Sequence, residues 1–195
     1  MPKSIVLIQG HPDPEGNRFC HALGTSYLNG ARGNKHETQV IDVAQIDFPI
    51  IRTKEDFETG NVPSEIIECQ KIIQWANHLV VIYPLWLGTM PALLKAFFEQ
   101  VFRYEFALSS KVGNGFPKGL LQGKSARIAI TMGMPAFIYR WFFGAHSLKS
   151  LERNVLKLSG IKPIRDSLIG NIDSPDNRDR EKWLHELYDL GREGN

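Results

Sequence analysis

The chain has 195 residues, of which 43% are hydrophobic and 23% charged. That balance belongs to a folded globule and excludes a disordered chain, and the length predicts a single domain over 1–195 that needs no metal or disulfide staple. With 23 Lys and Arg against 21 Asp and Glu the formal charge is +2, and no basic stripe argues for nucleic acid or a membrane surface.

Ser4–Gln9 is a short apolar run stopped by Gly10, His11 and Pro12, which predicts a buried strand. Residues 17–32 predict a helix, with Phe19, Leu23 and Leu28 among its apolar positions. Residues 38–43 predict a second strand, followed by a long connection over 44–62. Residues 63–77 predict a helix, because Ile66, Ile67, Cys69, Ile73 and Trp75 include three- and four-residue spacings. The run 79–83 is apolar at every position, as a strand covered on both faces must be. A helix over 91–102, a strand over 126–131, a helix over 147–158, a strand within 161–169 and a helix over 176–190 complete the pattern. The most apolar window, 79–98, contains Pro84, Gly88, Pro91 and Lys95, which argues against a membrane span. The first apolar run is too short for a signal peptide. Cys20 and Cys69 make no disulfide framework, so a cytoplasmic location is expected.

Five strands interleaved with helices predict an α/β chain: a flavodoxin-like three-layer sandwich whose parallel sheet runs in the order 2-1-3-4-5, with helices on both faces. Such sheets bind ligands beyond the carboxyl ends of their strands, where the strand order reverses. Three loops therefore carry the functional expectation. The first, from Gly10 to Cys20, leads into a helix whose free amides suit a phosphate, with His11 and Arg18 as added donors. Asp13 and Glu15 count against an anion there, and a capped turn with a solvated arginine is the alternative. The second presents Leu85, Trp86 and Leu87, which suit a flat aromatic ligand unless Trp86 plugs a neighbouring core. In the third, Gly133 permits close backbone approach after Thr131, and 137–143 is rich in aromatics, either an interface or a buried extra helix. His146 reads equally well as a helix cap.

Several motifs fail. Gly123-Lys124-Ser125 lacks the upstream glycine of a phosphate loop and precedes a strand. Gly113 and Gly115 lack the third glycine of a dinucleotide fingerprint. No Gly-x-Ser-x-Gly elbow and no His-Glu-x-x-His or Cys-x-x-Cys spacing occurs, so neither a hydrolase nor a metal site is expected. Tyr83 stands where a receiver domain needs its aspartate.

Together the three loops resemble the flavin-dependent NAD(P)H:quinone oxidoreductases of the DT-diaphorase and modulator-of-drug-activity-B type, a flavodoxin-fold family. The most specific stretch begins at Tyr83-Pro84-Leu85-Trp86-Leu87-Gly88-Thr89-Met90-Pro91-Ala92-Leu93-Leu94-Lys95 and follows the pattern Pro-Leu-x-Trp/Tyr-x-x-x-Pro-Ala-x-Leu-Lys. The resemblance runs from the first strand to His146 and more loosely beyond. It implies that His11 lies near the flavin phosphate. Arg18, Phe19 and Cys20 stand where relatives show Ser-Phe-Asn, so a hydroxyl and an amide are missing, and Arg18 is the candidate replacement. It implies that Pro84, Leu85, Trp86, Leu87 and Gly88 meet the isoalloxazine ring. It places Thr131, Met132, Gly133 and Met134 beside the flavin pyrimidine, with Met134 narrowing that pocket. Tyr139 and His146 match the catalytic pair, the tyrosine donating a hydrogen bond and the histidine a proton.

The implied reaction is two-electron, ping-pong hydride transfer from NAD(P)H through flavin N5 to a quinone. The implied cofactor is FAD, with FMN possible and NADPH or NADH as co-substrate, in a homodimer with the site at the interface. Arg140 or Arg18 is a candidate for a nicotinamide dinucleotide's 2′-phosphate. The alternatives are an azo or nitro reductase of related type and an ancillary subunit of a potassium efflux transporter. The insertion over 108–122 reads as a solvated loop.

Overall fold

The computed structural model describes residues 1–109, 117–174 and 178–195. Its sheet holds five parallel strands, β1 (Ser4–Gln9), β2 (Glu37–Asp42), β3 (His78–Pro84), β4 (Ser125–Thr131) and β5 (Ile164–Ile169), in the order β2-β1-β3-β4-β5. The order reverses between β1 and β3, as expected. All seven residues of β3 are buried, in keeping with its central place, whereas β2 alternates irregularly at the edge.

The helices are α1 (Phe19–Gly33), α2 (Lys54–Glu58), α3 (Ser64–Trp75), α4 (Ala92–Val101), α5 (Ala136–Trp141), α6 (His146–Lys149) and α7 (Arg178–Glu193). Strand alternation divides the core in two. Ile5, Leu7, Val80, Ile82, Ala129 and Ile169 face α1 and α7. Val6, Ile8, Leu79, Val81, Tyr83, Ile128 and Ile130 face α3, α4 and α6. Helices α1 and α7 pack backbone to backbone at two glycines: a Cβ on Gly30 would collide with the carbonyl of Tyr188, and one on Gly191 with that of Tyr27.

Three features depart from the expectation. Helix α2 lies within the connection read as irregular, its first turn capped by the Thr53 hydroxyl, which accepts from the Asp56 amide at 3.0 Å. Residues 136–141, within the stretch left open between an interface loop and a buried extra helix, form α5, in which Tyr139 alone is buried. The helix expected over 147–158 is α6 passing directly into a π-helical stretch, Ser150–Lys157, which buries Leu151 and Leu156 five residues apart. Within the insertion over 108–122, the flanks pair through the Ser109 amide to the Lys118 carbonyl at 2.8 Å, and 110–116 lie outside the described residues. Among the described residues no helix is long and apolar enough to cross a membrane.

Candidate functional site

The three loops named from the sequence follow β1, β3 and β4 and meet at the carboxyl edge of the sheet. Gly10 begins the first, its amide bonded to the Ile82 carbonyl at 2.7 Å, which ties the loop to β3. His11 is only 9% exposed. Its Nδ1 accepts from the Asp13 amide at 3.1 Å, so the neutral ring carries its proton on Nε2. That Nε2 has no acceptor among the described residues, and the ring lies edge-on to Trp86 at 5.9 Å between centroids. Burial pushes the His11 pKa below its ordinary value, and neighbouring His21 adds to that, so the uncharged donor is the resident form.

Helix α1 starts at Phe19; the His21 and Ala22 amides donate to the Arg18 carbonyl at 2.9 and 3.2 Å, which leaves the Phe19 and Cys20 amides for an acceptor from outside. The side chains around that terminus are not arranged as expected. Arg18 does not stand free: its Nε and a terminal nitrogen both hold Asp13 Oδ2 at 2.6 Å. A backbone amide from Glu15, reinforced by Arg18, keeps the Asp13 carboxyl below the usual carboxylate range. Phe19 packs beneath Arg180, whose guanidinium carbon is 5.9 Å from the ring centroid, on the α7 side of the core. Cys20 points inward to the Thr131 hydroxyl at 3.2 Å, and burial pushes its thiol up to about 12. Both side chains pack against the core, and the backbone amides of the two residues are left at the helix terminus. The reason is rotational, because the second residue of α1 falls on the stripe that continues through Leu23 and Tyr27 into the core.

The second loop makes a reversal in which Trp86 and Thr89 exchange both backbone hydrogen bonds at 2.9 Å. Leu87 and Gly88 occupy the two central positions with φ of 47° and 79°, the signature of a type I′ turn. Pro84 is buried at the end of β3, and Leu85 is anchored by its amide to the Thr131 carbonyl at 2.8 Å. Trp86 is half exposed and Leu87 wholly so.

In the third loop Thr131 and Met132 are buried, so the Thr131 hydroxyl faces Cys20 instead of the crevice. Gly133 is exposed, and a Cβ there would strike the carboxylate of Asp173. Met134 is half-buried, its carbonyl accepting from the Asn171 amide at 3.2 Å. Arg140 is paired with Asp166 at 45% side-chain exposure. Both arginines considered for a 2′-phosphate are therefore already engaged.

The catalytic pair divides. Tyr139 is 1% exposed, and its phenol oxygen accepts from the Leu148 amide at 3.1 Å. Beside it, Ser147 Oγ lies 3.0 Å from the Tyr83 hydroxyl. Burial raises the Tyr139 pKa, so the phenol stays neutral. The hydroxyl caps the first turn of α6 from inside the core. His146, the first residue of α6, is exposed.

Sequence reasoning passed over His21. Its Nδ1 accepts from the Arg18 amide at 3.3 Å, as the third residue of a capping box does, and its Nε2 is buried with no partner. The signal was present in the spacing: a polar residue three positions after an N-cap that is itself a poor acceptor. A cavity of about 610 Å³ lies elsewhere, between α2, α4 and the π-helical stretch, walled by Phe57, Phe98 and Phe102.

The family model described as a flavodoxin-like fold matches residues 3–189. The chain belongs to the flavodoxin-like fold family. Among relatives of this fold, an uncharacterized NAD(P)H oxidoreductase of Haemophilus influenzae is 29% identical over 183 residues, covering 92% of this chain and 89% of that one. A ribosyldihydronicotinamide dehydrogenase [quinone] of Mus musculus is 25% identical over 156 residues, covering 73% of this chain, which spans 64% of the mouse protein's length. The NAD(P)H:quinone oxidoreductase from Methanothermobacter marburgensis superposes with a TM-score of 0.86 at 22% identity over all of both chains, which shows the shared flavodoxin-like fold.

Proposed function

We propose that this chain is a flavin-dependent NAD(P)H:quinone oxidoreductase. The observation that carries the reading is the meeting, at the reversal between β1 and β3, of an unpartnered imidazole donor on His11, the open amides of α1 and the exposed Trp86–Leu87 turn. A phosphate-bearing cofactor with a flat aromatic ring fits that donor set, and the orphaned Nε2 of His21 at the same helix terminus adds to the fit. The names of the Haemophilus and mouse relatives point the same way. The proposed cofactor is FAD, with FMN the alternative, and the proposed location is the cytoplasm.

When bound, a flavin supplies hydride acceptance from NADH or NADPH and hydride donation to a quinone. The chain's residues do the remaining work. The α1 terminus and His11 hold the phosphate. Trp86 and Leu87 flank the ring and shield it from water. His146, exposed at the start of α6, carries the proton for the quinone oxygen. Tyr139 positions that histidine, since its carbonyl accepts from the Ala145 amide at 3.0 Å and its hydroxyl from Leu148 on the other side.

The exposed aromatics Phe137, Trp141, Phe142 and Phe143 form an apolar patch on and just beyond α5, and we propose it as the face of a homodimer. The deciding experiment is the visible spectrum of the purified protein, with the released cofactor identified by chromatography and NAD(P)H oxidation followed with and without a quinone. A protein that neither carries flavin nor binds added FAD or FMN refutes the reading.

A further inference from the structure

We infer that the amino edge of the sheet, opposite the three loops of the candidate site, binds a small oxyanion of the phosphate type through Lys3, Arg165 and the Ser125 hydroxyl. A cavity of about 280 Å³ lies there, walled by Lys3, His78, Ser125, Pro163, Arg165 and Asn195. The seven residues of β3 separate it from the Trp86 turn by about 20 Å, so the inference stands apart from the flavin reading.

Strand register explains the shared wall. His78 stands opposite Ser125, and Arg127 opposite Arg165. Residues two apart on a strand share a face, so all four belong to the face of Ile5 and Val80, the one covered by α1 and α7. Lys3 joins them from just before β1. Its Nζ donates to the Gly194 carbonyl at 2.6 Å and has two further protons to give.

The charge in this corner is one-sided. His78 is 3% exposed, and the charged groups acting on it are Lys3, Arg127, Arg165 and His36, all cationic. Among the described residues no acidic side chain lines the cavity, and neither Lys3 nor Arg165 is in an ion pair. The carboxylates acting on Arg127, those of Asp166 and Glu186, line a separate pocket, and Asp166 is held by Arg140. The α-carboxylate of Asn195 is the one negative group on the wall, and it pairs with no cation among the described residues. Arg127 and Arg165 directly opposite each other repel, and an anion between Lys3 and Arg165 offsets that repulsion.

The polar groups are left in keeping with this. His78 Nδ1 lies 2.7 Å from Ser125 Oγ, and its Nε2 is buried without a partner. With the ring proton on Nδ1, His78 donates to Ser125, and the hydroxyl hydrogen is free for the cavity, where Ser125 is half-buried. His36 adds no donor, because its Nδ1 accepts from the Lys3 amide and its Nε2 meets the Arg192 carbonyl. The volume falls just short of pockets for drug-sized ligands, about 300–1,000 Å³, and suits a phosphate-sized ion or a short phosphate ester.

The test is a titration of the full chain, as purified, with sulfate, inorganic phosphate and glycerol phosphate, followed by amide and histidine-ring NMR. Saturable shifts are expected at Lys3, His78, Ser125 and Arg165. Affinity should fall about tenfold in Arg165→Gln and in Lys3→Gln, as for loss of a hydrogen bond to a charged group. It should be unchanged in Arg153→Gln, an exposed cation elsewhere. Sulfate keeps its charge over the range used, so the His78 titration midpoint should rise by about one pH unit or more in its presence. Tighter binding of glycerol phosphate than of phosphate assigns the site to an esterified phosphate, and the reverse to the free ion. Shifts confined to 10–20 and 84–91 overturn the inference, as does an equal loss in Arg153→Gln. An unmoved His78 midpoint in saturating sulfate, or full affinity in Arg165→Gln and Lys3→Gln, overturns it too.

Discussion

Replacing Tyr139 with phenylalanine separates a positioning role from a chemical one. The phenol oxygen satisfies the Leu148 amide in a region where Tyr139 is 1% and Leu148 4% exposed. Water cannot take over without opening the core, so the amide is left unpaired, at a cost of about 1–3 kcal/mol. Loss of the contact with Ser147, which also bonds Tyr83, falls in the same range as a single neutral hydrogen bond, about 1 kcal/mol, partly offset because the hydroxyl itself need no longer be desolvated. A net destabilisation of about 2 kcal/mol follows, which for a chain of this length lowers Tm by about 4–8 °C. The assay is thermal unfolding beside steady-state turnover with NAD(P)H and a quinone, run on the same preparations. At a temperature where both proteins are folded, flavin affinity should hold, and turnover should drop only as far as His146 loses its placement. A variant with unchanged Tm and abolished turnover would refute the reasoning, because the hydroxyl would then act on the substrate.

His146→Ala should retain bound flavin and lower kcat with a quinone by about 100-fold, the usual contribution of a positioned proton donor; unchanged turnover removes the role. Burial pushes the His78 pKa from 6.5 down to about 3. The unfolded chain therefore takes up a proton below pH 6.5 that the folded chain refuses, and stability falls by about 1.4 kcal/mol per pH unit on acidification from 6 to 4. Urea titrations should show that slope reduced by the same amount in His78→Asn, which retains a partner for the Ser125 hydroxyl. Phe142→Glu, at a side chain 81% exposed in the single chain, should leave Tm within about 2 °C and yield a monomer by light scattering. A dimer of unchanged affinity would exclude this face.

β1 and β3 were legible because parallel strands covered on both faces leave continuous apolar runs, whereas β2 and β5, with their polar residues, were legible from their places between helical segments. Helix α2 was not, because none of its residues is buried and no periodicity can record it. Helix α5 was not for a related reason. It has six residues, and only Tyr139 among them is buried, so the aromatics around it left an interface loop and a buried extra helix both open. At the site, His11 was legible from the stop after β1 and Trp86 from the motif, but the direction of the side chains was not. Cys20 and Thr131 face each other across the core because of the phase at which α1 leaves its loop, which spacing does not encode.

The fate of Tyr139 follows from backbone conformation just beyond it. Spacing from Thr131 places the tyrosine where relatives carry theirs, yet here Gly144 and Ala145 are both left-handed, with φ of 65° and 50°. Two such residues in succession turn the chain back, so that the open amides at the start of α6 come over the phenol. Glycine adopts that conformation freely, but Ala145 does so at a cost of about 1–2 kcal/mol. The strain is offset by the two hydrogen bonds that Tyr139 accepts across the reversal, one at its carbonyl from the Ala145 amide and one at its phenol oxygen from the Leu148 amide. The same bonds that consume the tyrosine leave His146 on the outside of the turn. Tyr139 and His146 thus stand on the two sides of one reversal, the tyrosine buried as its brace and the histidine exposed.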